Sequence, residues 1–285
     1  MRLHVIETGY LKLDGGAMFG IVPKTMWERL QQPDAKNRCT WAMRCLLVET
    51  AERRILIDTG IGDKQDEHFR AIFEPQGPYT LLDALRDKGF QPEDITDVFL
   101  THLHFDHVGG AITRNSDGQL RPTFPKALYW TNQVHLDWAL NPNPREKASF
   151  LEENIRPLVE AGVLRFIEVQ EEDTAWLPGF KVRFVYGHTE AMMVPLIECH
   201  GQTIVYCADV MPSVHHIGLP YIMAYDLRPL LTLEEKTRIL ADAHTQNHWL
   251  FFEHDLSVPA CTVTMDSRQR WVRGETITAE RLEAL

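Results

Sequence analysis

The segment Thr101-His102-Leu103-His104-Phe105-Asp106-His107 puts three imidazoles and a carboxylate within six positions, directly after the apolar run Ile95 to Leu100. Imidazole nitrogen and carboxylate oxygen are the donors that borderline divalent metals such as zinc favour. Four such side chains at the end of a buried strand carry a heavy desolvation cost unless a shared cation offsets it. A bare polar turn is the plain alternative. His102 and His104 lie two apart, so in an extended segment they face the same side, and His107 turns to a neighbouring point. The chemistry this spacing points to is a metal site used for hydrolysis.

Further donors follow strand-like apolar runs. His188 comes after Val182 to Tyr186, within Gly187-His188-Thr189; Asp209 comes after Thr203 to Cys207; His254 comes after Trp249 to Glu253. Ligands gather where loops leave a rigid sheet, so these strand ends can converge on one point. Alternatives stay open at each position. Asp209 also suits a turn or a helix cap. His254 competes with His244 and His248, which lie in or just after an expected helix. Asp58, in Ile57-Asp58-Thr59-Gly60, is also good turn chemistry. His4, His68, His135 and His200 read as surface or structural residues.

The elements that must position these groups alternate between strand and helix. Cys45 to Thr50 and Arg54 to Asp58 read as two strands around a charged turn. Thr80 to Lys88 reads as a helix closed by Gly89, and Glu146 to Ala161 as a helix ending at Gly162. Val194 to Glu198 and Thr203 to Cys207 read as a hairpin through His200-Gly201. Thr232 with Glu235 reads as a capping box opening another helix. No repeat or linker-like stretch interrupts the chain, so one domain over 1–285, with an N-terminal arm of about 1–40, is expected.

Composition narrows the function. Twenty-nine Lys and Arg against forty Asp and Glu give a formal charge of −11, which disfavours a phosphate backbone as partner. No apolar run approaches the ~20 residues that span a bilayer. Residues 1–7 lack a signal-peptide apolar region, so no membrane partner and a cytoplasmic location are expected. The five cysteines are scattered without a CxxC pair, which suits reduced thiols.

His102-x-His104-x-Asp106-His107, Gly187-His188-Thr189, Asp209 and His254, with the strand-end Asp58-Thr59-Gly60 ahead of them, resemble the metallo-β-lactamase superfamily in order and spacing over roughly residues 40 to 256. The resemblance implies an α/β (α+β) fold, the αββα four-layer sandwich: two central sheets packed together, with helices on both outer faces. It implies two divalent metal ions, zinc first. His102, His104 and His188 would hold one, Asp106, His107 and His254 the other, and Asp209 would bridge them. Asp58 would hydrogen-bond the ligand loop or a ligand imidazole. A metal-bridging hydroxide would attack a lactone or related ester, with Asp106 and Asp209 orienting it and either of them shuttling its proton.

Within the superfamily, His104 stands where di-iron oxygen reductases carry Glu, and Asp209 where some exported zinc β-lactamases carry Cys. Leu56 to Lys64, Thr101 to Gly110 and Asp209 to Tyr221 resemble the lactonase and organophosphate-hydrolase branch. Two departures stand out. Pro212 occupies the place of a Tyr found in typical acyl-homoserine lactonases, and Glu190-Ala191-Met192-Met193 replaces a more usual Pro-Gly-His. His215, His216, Tyr221 and Tyr225 are candidates for a small-molecule substrate pocket, or else belong to a surface loop. The apolar, Gly-rich stretch Gly15 to Pro23, with Trp27, walls the pocket, meets a second copy in a homodimer, or packs as an N-terminal arm. The rival activities are phosphotriester hydrolysis at the same metals, and a mononuclear iron persulfide oxygenase at His102, His188 and Asp209 with His107 and His254 spare. A binding or sensor protein that has lost turnover is the reading outside enzymology.

Overall fold

The computed structural model describes residues 1–285 and resolves into two compact units. Unit 1 comprises Met1–Tyr10 and Met43–Gln170; unit 2 comprises Leu11–Ala42 and Glu171–Leu285. The chain opens with β1 (Arg2–Asp14), the short helices α1 (Gly15–Phe19) and α2 (Lys24–Trp27), and β2 (Arg38–Glu49), and passes from one unit to the other within β1 and again within β2.

Unit 1 continues with β3 (Arg54–Ile57), α3 (Glu67–Phe73), α4 (Leu81–Asp87), β4 (Asp97–Phe99), α5 (Phe105–Val108), the hairpin β5 (Ile112–Arg114) and β6 (Leu120–Pro122), β7 (Leu128–Thr131), α6 (Gln133–Leu140), α7 (Glu152–Glu160) and β8 (Leu164–Phe166). Its sheet has the order β1-β2-β3-β4-β7-β8. β3, β4, β7 and β8 pair in parallel, which requires crossover connections; α4 supplies one, and α6 with α7 another. β3, β4 and β7 are short and largely buried, whereas β8 at the sheet edge leaves Arg165 and Phe166 exposed. Leu56, Val98 and Tyr129 pack with Leu85 of α4 and with Leu103 of the histidine segment in one core. A capping box, Thr80 with Asp83, starts α4. The helix expected over 146–161 forms only from Glu152 to Glu160. Glu146 lies instead in a turn: its backbone N–H bonds to Asn143, and its carboxylate accepts hydrogen bonds from other side chains.

Unit 2 holds β9 (Thr174–Leu177), β10 (Phe180–Val185), β11 (Met192–Cys199), β12 (Gln202–Tyr206), α8 (Pro229–Gln246), β13 (Trp249–Phe251), β14 (Ala260–Met265), β15 (Trp271–Ile277) and α9 (Ala279–Glu283). The sheet order is β15-β14-β13-β12-β11-β10-β9. The β11–β12 hairpin turns through His200 and Gly201, both at positive φ (49° and 79°), the backbone that favours tight two-residue turns. β12 and β13 are the one parallel pair, with Tyr206 opposite Phe251, and α8 is their crossover. This helix starts a turn earlier than expected. Pro229 occupies its first turn, where a fixed φ and a missing N–H cost nothing. Thr232 therefore caps nothing. Glu235 accepts from the backbone N–H groups of Tyr186 and Gly187 (2.6 and 3.0 Å) rather than from its own helix.

A simple count links fold to donors. β4, β10, β12 and β13 end at Phe99, Val185, Tyr206 and Phe251. His102, His188, Asp209 and His254 each stand three residues beyond. In unit 2, β10 and β12 are both antiparallel to β11, and β12 is parallel to β13, so the three chain exits share one edge of the sheet. Carboxyl ends of strands are where such sheets gather ligands.

Candidate metal centre

In unit 1 the histidine segment is organised by Asp58. This residue directly follows β3, is fully buried, and has φ +56°, a left-handed conformation that Asp tolerates better than most residues. Its Oδ1 accepts from the Thr101 backbone N–H (2.8 Å), and its Oδ2 accepts from Thr101 Oγ1 (2.7 Å) and from His107 Nδ1 (3.1 Å). Thr59 adds two bonds to the His107 carbonyl, from N (2.8 Å) and Oγ1 (2.7 Å). Parallel pairing sets Ile57 opposite Phe99, which brings Asp58 level with the start of the segment. A Cβ on Gly109 would lie 2.0 Å from the Ile61 carbonyl oxygen, so the chain after His107 closes onto the Asp58 loop only as glycine.

The hydrogen bonds choose which nitrogen each imidazole turns inward. Thr101 Oγ1 gives its proton to Asp58, so at 3.0 Å it accepts from His102 Nδ1, and His102 presents Nε2. His107 Nδ1–H donates to Asp58, so His107 also presents Nε2. His104 is the reverse. Its Nε2 lies 3.0 Å from Glu146 Oε1, and it presents Nδ1. The three rings cluster, with centroids 4.5 Å apart for His102 and His104 and 4.0 Å for His102 and His107. Asp106 Oδ1 stands 3.9 Å from His107 Nε2. His135, fully buried, accepts from the Leu103 N–H (2.9 Å) and braces the segment from beneath, a structural role.

In unit 2, Asp209 stands between two imidazoles. Its Oδ2 is 3.2 Å from His188 Nε2 and its Oδ1 is 3.2 Å from His254 Nε2. His188 Nδ1 is bonded to Asp226 Oδ1 (2.8 Å) and His254 Nδ1 to the Ala42 carbonyl (2.7 Å). Both rings therefore aim a lone pair at a carboxylate oxygen, an approach that a shared cation turns from repulsive to attractive. Two atoms bound at ~2.0–2.1 Å to one tetrahedral ion lie about 3.3–3.4 Å apart. Each side of Asp209 fits that spacing. The donor set, neutral imidazoles with ring orientations fixed by carboxylates, a hydroxyl and a carbonyl, fits borderline divalent metals.

His254, rather than His244 or His248, stands beside Asp209. His244 on α8 faces the Val263 carbonyl and the Trp271 ring, and His248 precedes β13 at the opposite end of that strand from His254. His188 owes its position to Glu235 and to Gly187, where a Cβ would lie 2.4 Å from the Thr232 nitrogen and 2.6 Å from its Cα.

The residues expected to line a pocket divide. His216 is buried, with Nε2 2.9 Å from the Met18 carbonyl, Nδ1 2.8 Å from Ser213 Oγ, and its ring stacked on Phe19 (5.3 Å, 1°). Burial pulls its pKa down to about 3, so it is a neutral packing residue. Phe19 stacks on Trp27 as well (5.2 Å), so the Gly15-to-Pro23 stretch packs through Met18 and Phe19 while Ile21 is exposed. Tyr221 meets Phe19 edge-on and Tyr225 is exposed. His215 is half-buried, its pKa lowered by burial.

Sequence patterns place none of Glu146, Asp226 and Glu235 at the site: Glu146 reads as a helix start, Glu235 as part of a helix cap, and Asp226 carries no signal. Glu146 and Asp226 lie 42 and 38 residues from the histidines they hold, and Glu235 lies 49 and 48 residues from the Tyr186 and Gly187 N–H groups it accepts from. Glu146 and Asp226 are single carboxylates outside helix and strand and Glu235 sits within α8, so none marks its partner locally and only the fold reveals it.

The metallo-β-lactamase superfamily model matches residues 44–253, and the chain belongs to that superfamily. Among curated relatives it is 24% identical over 172 residues to an N-acyl homoserine lactonase of Bacillus cereus. That match covers 56% of this chain and 60% of the relative, so the chain spans less than two thirds of that enzyme's length. Among solved structures, a protein of Staphylococcus aureus described as a probable metal-dependent hydrolase superposes with a TM-score of 0.85 and 27% identity, over 97% of this chain and 98% of that one. AidC, a dizinc quorum-quenching lactonase in complex with a product, superposes with a TM-score of 0.76 and 20% identity, over 97% and 95% of the two chains. The mixed α/β architecture matches the fold of these neighbours. No helix is long and apolar enough to cross a membrane.

Proposed function

We propose that the chain is a dinuclear metal-dependent hydrolase that opens a lactone or related ester, and that both units make up its single catalytic domain. The observation that carries this reading is Asp209, with one carboxylate oxygen 3.2 Å from His188 Nε2 and the other 3.2 Å from His254 Nε2. His102, His104 and His188 would hold one ion, Asp106, His107 and His254 would hold the other, and Asp209 would be shared between them, with zinc the first assignment. Bound divalent ions supply a hydroxide near neutral pH and polarise a carbonyl. The chain's own residues do the rest. Asp106 and Asp209 would orient the attacking oxygen, and either would take up its proton and return it to the leaving alkoxide. Asp58, Thr101, Glu146 and Asp226 keep the imidazoles from turning. The lactonase relative and the dizinc lactonase neighbour support a lactone as substrate.

A screen of three substrates tests the reading on purified protein: an acyl-substituted γ-lactone, paraoxon, and glutathione persulfide with oxygen uptake recorded. Lactone turnover that Asp209→Asn abolishes is the expected result. Paraoxon turnover alone would transfer the site to phosphotriester hydrolysis, and oxygen-dependent persulfide oxidation alone would transfer it to the iron oxygenase reading.

A further inference from the structure

We propose that Glu146 is a positioning residue that sets His104 apart from the other imidazoles, by fixing its proton on Nε2 and so making Nδ1 the donor to a metal ion. The proposal rests on the two-ion reading above and names a device within it that lies outside the ligand set. Glu146 is buried at 4% exposure, and its two carboxylate oxygens have separate duties. Oε1 receives His104 Nε2 at 3.0 Å, while Oε2 receives Trp138 Nε1 at 2.7 Å and Asn143 Nδ2 at 3.2 Å. Asn143 also bonds the Glu146 backbone N–H through both its side-chain and its backbone oxygen. The carboxylate is therefore clamped from two sides and cannot follow His104 if the ring turns. Phe150, 4.8 Å from His104 between ring centroids, packs against the same ring.

The donors opposite Oε2 make the arrangement one-way. An indole N–H can only donate, and so can an amide NH2 group. Whatever stands at position 146 must offer these two an acceptor before it offers anything to His104. A carboxylate meets all three donors. A carboxamide cannot: in Glu146→Gln the carbonyl oxygen faces Trp138 and Asn143, and the NH2 group faces His104 Nε2. His104 then accepts at Nε2 and carries its proton on Nδ1, where the metal is to bind. The substitution keeps the volume and the backbone, so it acts on the imidazole rather than on the fold. Loss of a carboxylate behind a ligating histidine typically lowers metal affinity about 10–100-fold.

The test uses the full chain, histidine-labelled with 15N, and zinc as the probe. Zinc binding is followed by competition with a chromophoric chelator, and the imidazole proton is located by two-bond 1H–15N correlation, with the His104 signals identified by their loss in His104→Asn. In the wild type, two ions bind and His104 carries its proton on Nε2. In Glu146→Gln, one of the two affinities falls about 10–100-fold while the other holds, and metal-free His104 shows the Nδ1–H tautomer. Wild-type affinity at both ions in Glu146→Gln would overturn the proposal. So would a wild-type spectrum with the proton on His104 Nδ1, which decides the matter even if Glu146→Gln does not fold. A wild-type chain that takes up no zinc would sink the two-ion reading and this proposal with it, whereas two-ion binding with an insensitive Glu146 would sink only the latter.

Discussion

Asp58 joins the end of β3 to the histidine segment, and two substitutions there separate stability from metal binding. Asp58→Ala removes the acceptor of the Thr101 N–H, the Thr101 hydroxyl and His107 Nδ1. Thr101 and His107 are both fully buried. A stranded buried donor costs about 1–3 kcal/mol. The hydroxyl can rotate to another acceptor, but the backbone N–H and the fixed imidazole cannot, so Asp58→Ala loses roughly 2–6 kcal/mol. Against a total stability of about 5–15 kcal/mol, that is a large fraction. Asp58→Asn behaves differently. The Thr101 N–H can only donate, so the Asn carbonyl oxygen must face it, and the NH2 group faces the Thr101 hydroxyl and His107 Nδ1. The hydroxyl turns to accept. His107 accepts at Nδ1 and moves its proton to Nε2, the nitrogen it otherwise presents. Asn tolerates the φ of +56°, so metal-free stability falls by only about 1 kcal/mol, while zinc affinity falls about 10–100-fold. Urea unfolding of the metal-free proteins and zinc competition titrations measure the two quantities. Equal destabilisation by Asn and Ala, or wild-type zinc affinity in Asp58→Asn, would refute the reasoning.

Three more expectations follow from packing and burial. Gly187→Ala sets a Cβ against the backbone of α8 at Thr232, and the urea midpoint should report a loss of about 1–3 kcal/mol. His216 has its folded pKa lowered to about 3 from 6.5. Its contribution to stability is therefore complete above the unfolded value and is lost as pH falls from about 6.5 toward 3. His216→Gln, which can still donate to the Met18 carbonyl, should flatten the acid limb of a stability–pH curve. Lys236 donates to the carbonyls of Gly218, Leu219 and Tyr221 from a fully buried position, and burial pulls its pKa down to about 7 from 10.5. Between those values the unfolded state binds the extra proton, so stability should rise with pH from about 7 to 10.5 in the wild type. That rise should be missing in Lys236→Met.

The placement of the candidate donors at strand ends was legible because a strand end followed by a His or Asp is a local signal. His102, His188, Asp209 and His254 each stand three residues past a strand whose last residue is apolar (Phe99, Val185, Tyr206 and Phe251), which gives each strand an identifiable end. Strand and hairpin positions were legible for the same reason. Local rules failed where a side chain serves a distant partner. Glu235 looked like a helix cap for Thr232, yet it holds Tyr186 and Gly187, and Pro229 had already begun the helix. Glu146 looked like the first residue of a helix, yet its bonds to His104, Trp138 and Asn143 keep that stretch in a turn. His216 looked like a pocket donor because it follows Asp209 closely, but the arm residues Met18 and Phe19, almost two hundred positions away in sequence, enclose it.

The central claim is that two divalent ions, held by seven side chains and bridged by Asp209, hydrolyse a lactone. Elemental analysis of metal per chain, on protein purified without added metal, tests it most directly when paired with lactone turnover before and after chelation. About two equivalents of a zinc-like divalent metal are expected, with turnover that chelation removes and added metal restores. About one equivalent of iron with no lactone turnover would contradict it.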